Sequence, residues 1–249
     1  MFKNHFSAHS RDYAKYRPNY PAALLEYLAR ASPSTNLAWD VATGSGQAAL
    51  SLAEYFSKVH ASDASITQIE NAVPHARIQY ILEPAETTSL ANGSVDLITV
   101  AQALHWFDLD CFYSEAKRVL KTEGVIAAWT YGTCSISPAI DKVVAWFYHE
   151  VVGPYWPQER KIVEQEYRTL PFPFQRIAAP RFEMTANWKL DEFAGYLGTW
   201  SATQRYCEAL RRDHREVVAP PLERAWGDPD QALLIRWPVH LLAGKCSRE

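Results

Sequence analysis

The stretch Asp40-Val41-Ala42-Thr43-Gly44-Ser45-Gly46-Gln47 carries the densest chemical information in the chain. Small residues there let a ligand touch the backbone, and a helix opening just after them offers N–H groups that no carbonyl has taken. Asp63 follows 23 residues after Asp40. At that distance a carboxylate ends the next strand, where it can accept hydrogen bonds from both hydroxyls of a ribose. Pro84-Ala85-Glu86 would then stand beside a base laid across the strand ends. Ala101-Gln102-Ala103-Leu104-His105-Trp106-Phe107 borders the same crevice. His105 in it is a candidate general base, with an ordinary hydrogen-bonded structural histidine as the alternative. Asp40 and Asp63 also have plain readings, as caps of the turns that follow them. Residues 44–49 satisfy the relaxed G-x-G-x-x-A dinucleotide fingerprint, with Asp63 as its acid. Asp40 argues against NAD, because a carboxylate at that strand end suits a ligand bearing an ammonium group better than a pyrophosphate.

Elements that alternate in period must position these residues. Apolar spacing predicts a helix from Pro21, with Leu24, Leu25, Leu28 and Ala31 on one face and Pro33-Ser34 ending it. Strands are expected over 37–42, 58–62, 76–82, 95–101 and 125–132, with helices between them at QAALSLAEYF, SITQIENAV and CFYSEAKRVLKTEG, the last closed by Gly124. Strands and helices in that alternation predict a doubly wound, mostly parallel sheet with right-handed crossovers. After about residue 133 the chain becomes rich in Pro, Trp and Tyr and reads as short helices and loops. A returning strand is expected over 181–190 and helix in two pieces over LDEFAGYLGTWSATQRYCEALRRD. The run 231–244 would close the sheet, with Pro238 placing it at an edge or a bulge. The charged run 211–216 reads as a solvated helix face.

The order D-V-A-T-G-S-G, S-D-A-S, P-A-E, S-V-D-L-I, A-Q-A-L-H-W-F and R-V-L-K-T-E-G resembles that of class I S-adenosylmethionine-dependent methyltransferases. Within them it is most similar to the small-molecule branch containing trans-aconitate and cantharidin methyltransferases. The opening F-S…Y-A-K-Y-R-P-N-Y-P resembles that branch's N-terminal cap, and W-K-L-D-E-F…Y-L-G-T-W-S its substrate-side insertion. The resemblance implies a Rossmann-like α/β fold with a seven-stranded sheet and S-adenosyl-L-methionine as cofactor. It implies one domain over 1–249, made of a cap (1–34), a cofactor-binding core (35–132), an insertion with the returning strand (133–228) and a closing strand (229–249). It also implies roles. Asp40, Ala42 and Gly44 would surround the methionine part, Asp63 the ribose and Ala64 the adenine. Ala85 and Glu86 would meet the adenine edge, Gln102 would lie under the sulfonium, and Tyr16 and Arg17 would close over the cofactor carboxylate. The chain departs from the family at Ala42, where Gly is usual, at Pro84, where an acid often stands, and at Thr122-Glu123, which replace a common Pro-Gly.

Composition sets the outer bounds. With 249 residues, 48% apolar and 21% charged, the chain can bury a full core. Its 25 basic and 28 acidic residues leave a net charge of −3, against a dedicated nucleic-acid surface. No 18-residue apolar run or secretory leader is apparent, and cysteines at 111, 134, 207 and 246 suit neither a zinc site nor a disulfide scaffold. A cytoplasmic methyltransferase with a small-molecule acceptor, no nucleic acid, no membrane and no metal is the expectation, its oligomeric state left open. The acceptor is expected to be a carboxylate or another small polar group, with Arg160, Arg168, Arg176, Arg181 and Arg205 as candidate clamps. Nine Trp and thirteen Tyr suggest a pocket lined by rings. The rings at 146, 148, 155, 156, 196 and 200 divide between core and pocket. The alternatives are an RNA or protein methyltransferase, an NAD-dependent oxidoreductase, or a non-catalytic cofactor-binding module.

Overall fold

Pro21 holds the extended backbone that opens helix α1 (Ala22–Ala31), which buries Leu24, Leu25, Leu28 and Ala29. Ala31, expected on that face, is only partly covered. The computed structural model describes residues 16–247, so the first fifteen residues of the expected cap, including the Phe6-Ser7 part of its motif, lie outside the described residues.

Strands β1 (Leu37–Val41), β2 (Lys58–Asp63), β3 (Ile78–Leu82), β4 (Val95–Ala101) and β5 (Leu120–Tyr131) form a parallel sheet in the order β3-β2-β1-β4-β5. Between them lie helices α2 (Gln47–Leu52), α3 (Ile66–Glu70) and α4 (Leu109–Val119). Alternation along each strand divides the core. Ala38, Leu97, Val125, Ala127 and Trp129 face α1 and α2. Trp39, Val41, Ile98, Ile126 and Ala128 face α4 through Phe112 and Ala116.

At the far end of the strands from their loops, fully buried Asp96 accepts hydrogen bonds from Asn36 N (3.1 Å), Leu37 N (3.0 Å) and Ser34 Oγ (2.7 Å). It also pairs with Lys121 Nζ at 2.7 Å. One side chain thus ties β1, β4 and β5 together.

The remaining chain contributes α5 (Pro138–Trp146), α6 (Arg160–Glu164), β6 (Gln175–Arg176), β7 (Phe182–Trp188), α7 (Leu190–Gly198), α8 (Ser201–Leu210), α9 (Arg215–Trp226) and β8 (Leu233–Lys245). β8 runs antiparallel to β5, and its other edge pairs first with β7 and then with β6. β6 and β7 are successive stretches of one edge, so the sheet is seven positions wide although it contains eight strands.

Four expectations are corrected. The fourth predicted helix ends at Val119, not Gly124, because β5 begins at Leu120 with a register shift against β4. Glu123 there takes φ 63°, so the Thr122-Glu123 departure belongs to a bulge inside a strand. Pro238 lies in an interior strand; it is tolerated because the β5 pairing starts only at Val239, leaving one side of Pro238 unbonded. Residues 211–216 form no continuous helix face, since Arg211 ends α8 at φ 50° and α9 starts at Arg215. His214, between them, packs on Gly198 with Nε2 3.1 Å from Ala194 O. Finally, α9 runs through Pro220-Pro221, where no helix was expected. Among the described residues no helix is long and apolar enough to cross a membrane.

Candidate functional site

The parallel register sets Asp40 beside Thr99. Thr99 Oγ1 donates to Asp40 Oδ1 at 2.7 Å, and Thr43 Oγ1 donates to Oδ2 at 2.6 Å. Asp40 is fully buried and lines neither of the two cavities described below. Expected to touch the ligand, it stands instead behind the cavity wall: each oxygen accepts one hydroxyl, and the side chain braces the glycine loop from below. Burial pushes its carboxyl up to about 6, against the pull of those two hydroxyl bonds.

Above it the chain turns through left-handed conformations at Ala42 (φ 52°), Gly44 (φ 59°) and Gly46 (φ 90°). At Gly46 a Cβ would run into the Tyr80 ring. At Ala42 the positive φ explains why glycine is usual there and why the smallest chiral side chain stands in for it. Asp63, at the end of β2, accepts Gly44 N on Oδ2 (2.9 Å) and Ser65 N on Oδ1 (2.8 Å). It joins the loop after β1 to the loop after β2. Burial raises its carboxyl pKa, and the two backbone bonds oppose that rise.

These loops open on a cavity of about 570 Å³ at the carboxyl ends of the strands, the crevice in which open α/β sheets bind ligands. Ala42, Gly44, Asp63, Ala64, Ala85, Glu86, Gln102 and His105 all line it. Tyr20, Gln68 and Glu83 do as well, although no role was read for them in the sequence. The signal at Glu83 was positional: it follows β3 as Asp63 ends β2, and its N–H donates to Asp63 O at 3.1 Å. Its carboxylate accepts from Thr88 Oγ1 (2.8 Å) and Ser89 N (3.1 Å) and faces His60 Nε2 at 3.1 Å. Glu86 Oε1 accepts from Asp108 N at 3.1 Å, fixing the loop after β3 to the start of α4.

Gln102 takes φ 59° as the chain leaves β4. Its Oε1 accepts from Thr130 Oγ1 at 2.9 Å and its Nε2 donates to Tyr131 O at 3.3 Å. His105 stands in a single 3₁₀ turn, Leu104–Trp106, with Nδ1 2.9 Å from the hydroxyl of buried Tyr167. Burial, then the charge of Arg160, push His105 down to about 4, with Glu159 opposing. At neutral pH this imidazole is an uncharged hydrogen-bond donor and a weak base.

A smaller cavity of about 80 Å³ shares Gln102, His105 and Trp106 with the larger one. Its other walls include Arg17, Tyr131, Trp156, Arg160, Tyr196 and Trp200. Here the N-terminal expectation needs correction. Arg17 lines this smaller cavity and not the larger one, donating to Tyr131 Oη at 2.6 Å and Thr199 O at 3.3 Å. Tyr16 lines neither cavity; its ring packs on Gly195. Of the five candidate arginines only Arg160 reaches either cavity. Arg168 pairs with Glu166, Arg176 lies over Phe172, Arg205 donates to Tyr155 O and Arg181 is exposed. The rings divide similarly: Trp156, Tyr196 and Trp200 form walls, Tyr148 stands behind Arg160, Tyr155 packs on Tyr206, and Trp146 is exposed.

Comparison with known proteins agrees with this architecture. A methyltransferase-domain family model matches residues 39–128. A protein from Dictyostelium discoideum named as a methyltransferase is 34% identical, over 98% of this chain and 95% of its own length. A relative from Saccharomyces cerevisiae, named as an S-adenosylmethionine-dependent methyltransferase, is 29% identical over 52% of this chain and 46% of its own. A solved structure from Anaeromyxobacter dehalogenans, described as a type II methyltransferase, superposes with a TM-score of 0.88 at 44% identity, covering 94% of this chain and all of that one. With a relative aligned along nearly its whole length and the glycine loop, Asp63 and strand-end cavity in place, the chain belongs to the class I S-adenosylmethionine-dependent methyltransferases.

Proposed function

We infer that the protein transfers a methyl group from S-adenosylmethionine to a carboxylate on a small-molecule acceptor, in the manner of the small-molecule branch it resembles. The observation that carries this reading is the adjoining pair of cavities, one large enough for a nucleoside and one small, ringed by aromatics and bordered by two guanidinium groups. When bound, the cofactor supplies a methyl carbon on a positively charged sulfur, an electrophile with a neutral leaving group.

The residues present suit that cofactor. Gly44 leaves the loop bare where it lines the cavity, and about 570 Å³ falls within the usual range for ligand pockets. Each Asp63 oxygen accepts one backbone N–H and has a second lone pair to offer a ribose hydroxyl. Ala64, Ala85 and Glu86 would border the adenine, Ala42 and Gly44 the methionine part, and Gln102 the sulfonium end. What the protein adds is mainly position and exclusion of water. A carboxylate acceptor has no proton to lose, so no base is required. His105, neutral and weakly basic, is suited to orient such an anion through a ring N–H rather than to deprotonate a hydroxyl. A small acceptor cavity and a net charge of −3 also favour a small molecule over RNA.

Calorimetry with S-adenosylhomocysteine tests the cofactor half. Asp63→Ala should weaken binding by about 1.5–3 kcal/mol, the scale of a hydrogen bond to a charged group, while His105→Ala binds as the wild type does. Equal affinity for wild type and Asp63→Ala would remove Asp63 from the ribose. Methyl transfer from labelled cofactor to RNA, with none to a panel of small acids, would overturn the acceptor reading.

A further inference from the structure

The geometry points to the smaller cavity as an anion-binding subsite of the acceptor, with Arg160 as the residue that selects a carboxylate. This rests on the methyl-transfer reading above and adds the group that recognises the acceptor.

Arg160 is held by Tyr148 and Trp156. Its Nε donates to Tyr148 Oη at 2.7 Å, and that hydroxyl donates in turn to Glu164 Oε1 at 2.6 Å. The guanidinium lies 4.5 Å from the Trp156 ring centroid and 5.3 Å from that of Tyr148. Among the described residues no carboxylate forms an ion pair with Arg160, and only its Nε is used in a side-chain hydrogen bond. Its two terminal nitrogens are thus a fixed fork on the wall of a cavity that Trp156, Tyr196 and Trp200 also line. A planar fork of this kind matches the two oxygens of a carboxylate, and partial desolvation strengthens the pairing. Arg17 contributes a second positive charge from the N-terminal part of the chain, with its two terminal nitrogens engaged by Tyr131 and Thr199. An anion held there is bounded by Gln102, His105 and Trp106, the three residues that also bound the larger cavity. About 80 Å³ admits a carboxylate with a few carbons, so the acceptor end that enters is small.

The test measures binding, with turnover as a supplement. Acetate, crotonate and benzoate, each beside its neutral amide, are titrated into protein saturated with S-adenosylhomocysteine, following the fluorescence of the Trp-walled cavity and calorimetric heat. At least one carboxylate should bind at least tenfold more tightly than its amide. Arg160→Gln should lose that preference, Arg160→Lys should retain part of it, and Tyr148→Phe should weaken the carboxylate several-fold by releasing Nε. S-adenosylhomocysteine affinity should stay within about twofold throughout, which also reports that each variant is folded. If Arg160→Gln does not fold, the lysine and Tyr148 variants decide. Carboxylate affinity indifferent to these substitutions, or no carboxylate bound by the wild type, overturns the proposal. A wild type that fails to bind S-adenosylhomocysteine overturns the methyl-transfer reading instead.

Discussion

His105 and Asp40 shift in opposite directions and couple stability to pH with opposite signs. In the unfolded chain the imidazole takes its proton near 6.5, whereas in the fold it does so near 4. Between those values the unfolded state binds a proton that the native state refuses, so stability falls as pH drops, by roughly 3 kcal/mol once pH 4 is reached. Asp40, raised from 3.8 to about 6, takes its proton first in the native state and adds stability over much of the same window. Wild type therefore shows a partial cancellation that His105→Gln exposes. From pH 7 to pH 4 that variant should gain up to about 3 kcal/mol relative to wild type in urea unfolding. A difference that does not change with pH would mean the native histidine is not held neutral. Legibility in the sequence followed distance along the chain. Asp63 was readable because its partners, Gly44 and Ser65, belong to the two turns it joins. The state of His105 was not, because Tyr167 lies 62 positions later. Asp40 was placed on the right loop, but only the register with Thr99 reveals that it faces the interior.

At the scale of elements, the five parallel strands were readable because each strand, turn and helix is a local unit with its own period. The chain after residue 133 was readable in part: the returning strand, the two-piece helix and the closing strand stand as β7, α7 with α8, and β8, whereas α9 was not foreseen because its apolar residues pack on partners far away in sequence. Pro220 and Pro221 lie inside α9, yet Val218, Leu222 and Trp226 fall four apart on one buried face, and that burial outweighs the lost backbone bonds. Asp96 makes a test at this scale possible. Asp96→Ala leaves the N–H groups of Asn36 and Leu37 and the Lys121 ammonium without their acceptor. It should cost about 3 kcal/mol in denaturant unfolding. Because Asp96 stands at the end of the strands opposite the cavity, affinity for S-adenosylhomocysteine should not change; a parallel loss of affinity would show that the two ends are coupled.

Over the whole molecule, ligand and fold are linked through mass action. At one hundred times its Kd, S-adenosylhomocysteine should add about 2.7 kcal/mol of stability, seen as a rise of about 5–10 °C in Tm for a domain of this size. Asp96→Ala, though melting lower, should gain the same increment, while Asp63→Ala at the same concentration should lose more than half of it. Unequal increments for wild type and Asp96→Ala would mean that the clamp shapes the site.

The placement of β8 has a cost in time. Every β5 residue it covers waits for a partner more than 100 positions further along, Val125 for Lys245 and Tyr131 for Val239. At ribosomal speeds of about 5–20 residues per second, the outer flank of β5 stays bare on the order of 5–20 s while the nascent chain grows. A bare flank of apolar strand is an invitation to pair with a neighbour, so safe maturation of this enzyme depends on that flank being shielded until its late partner emerges.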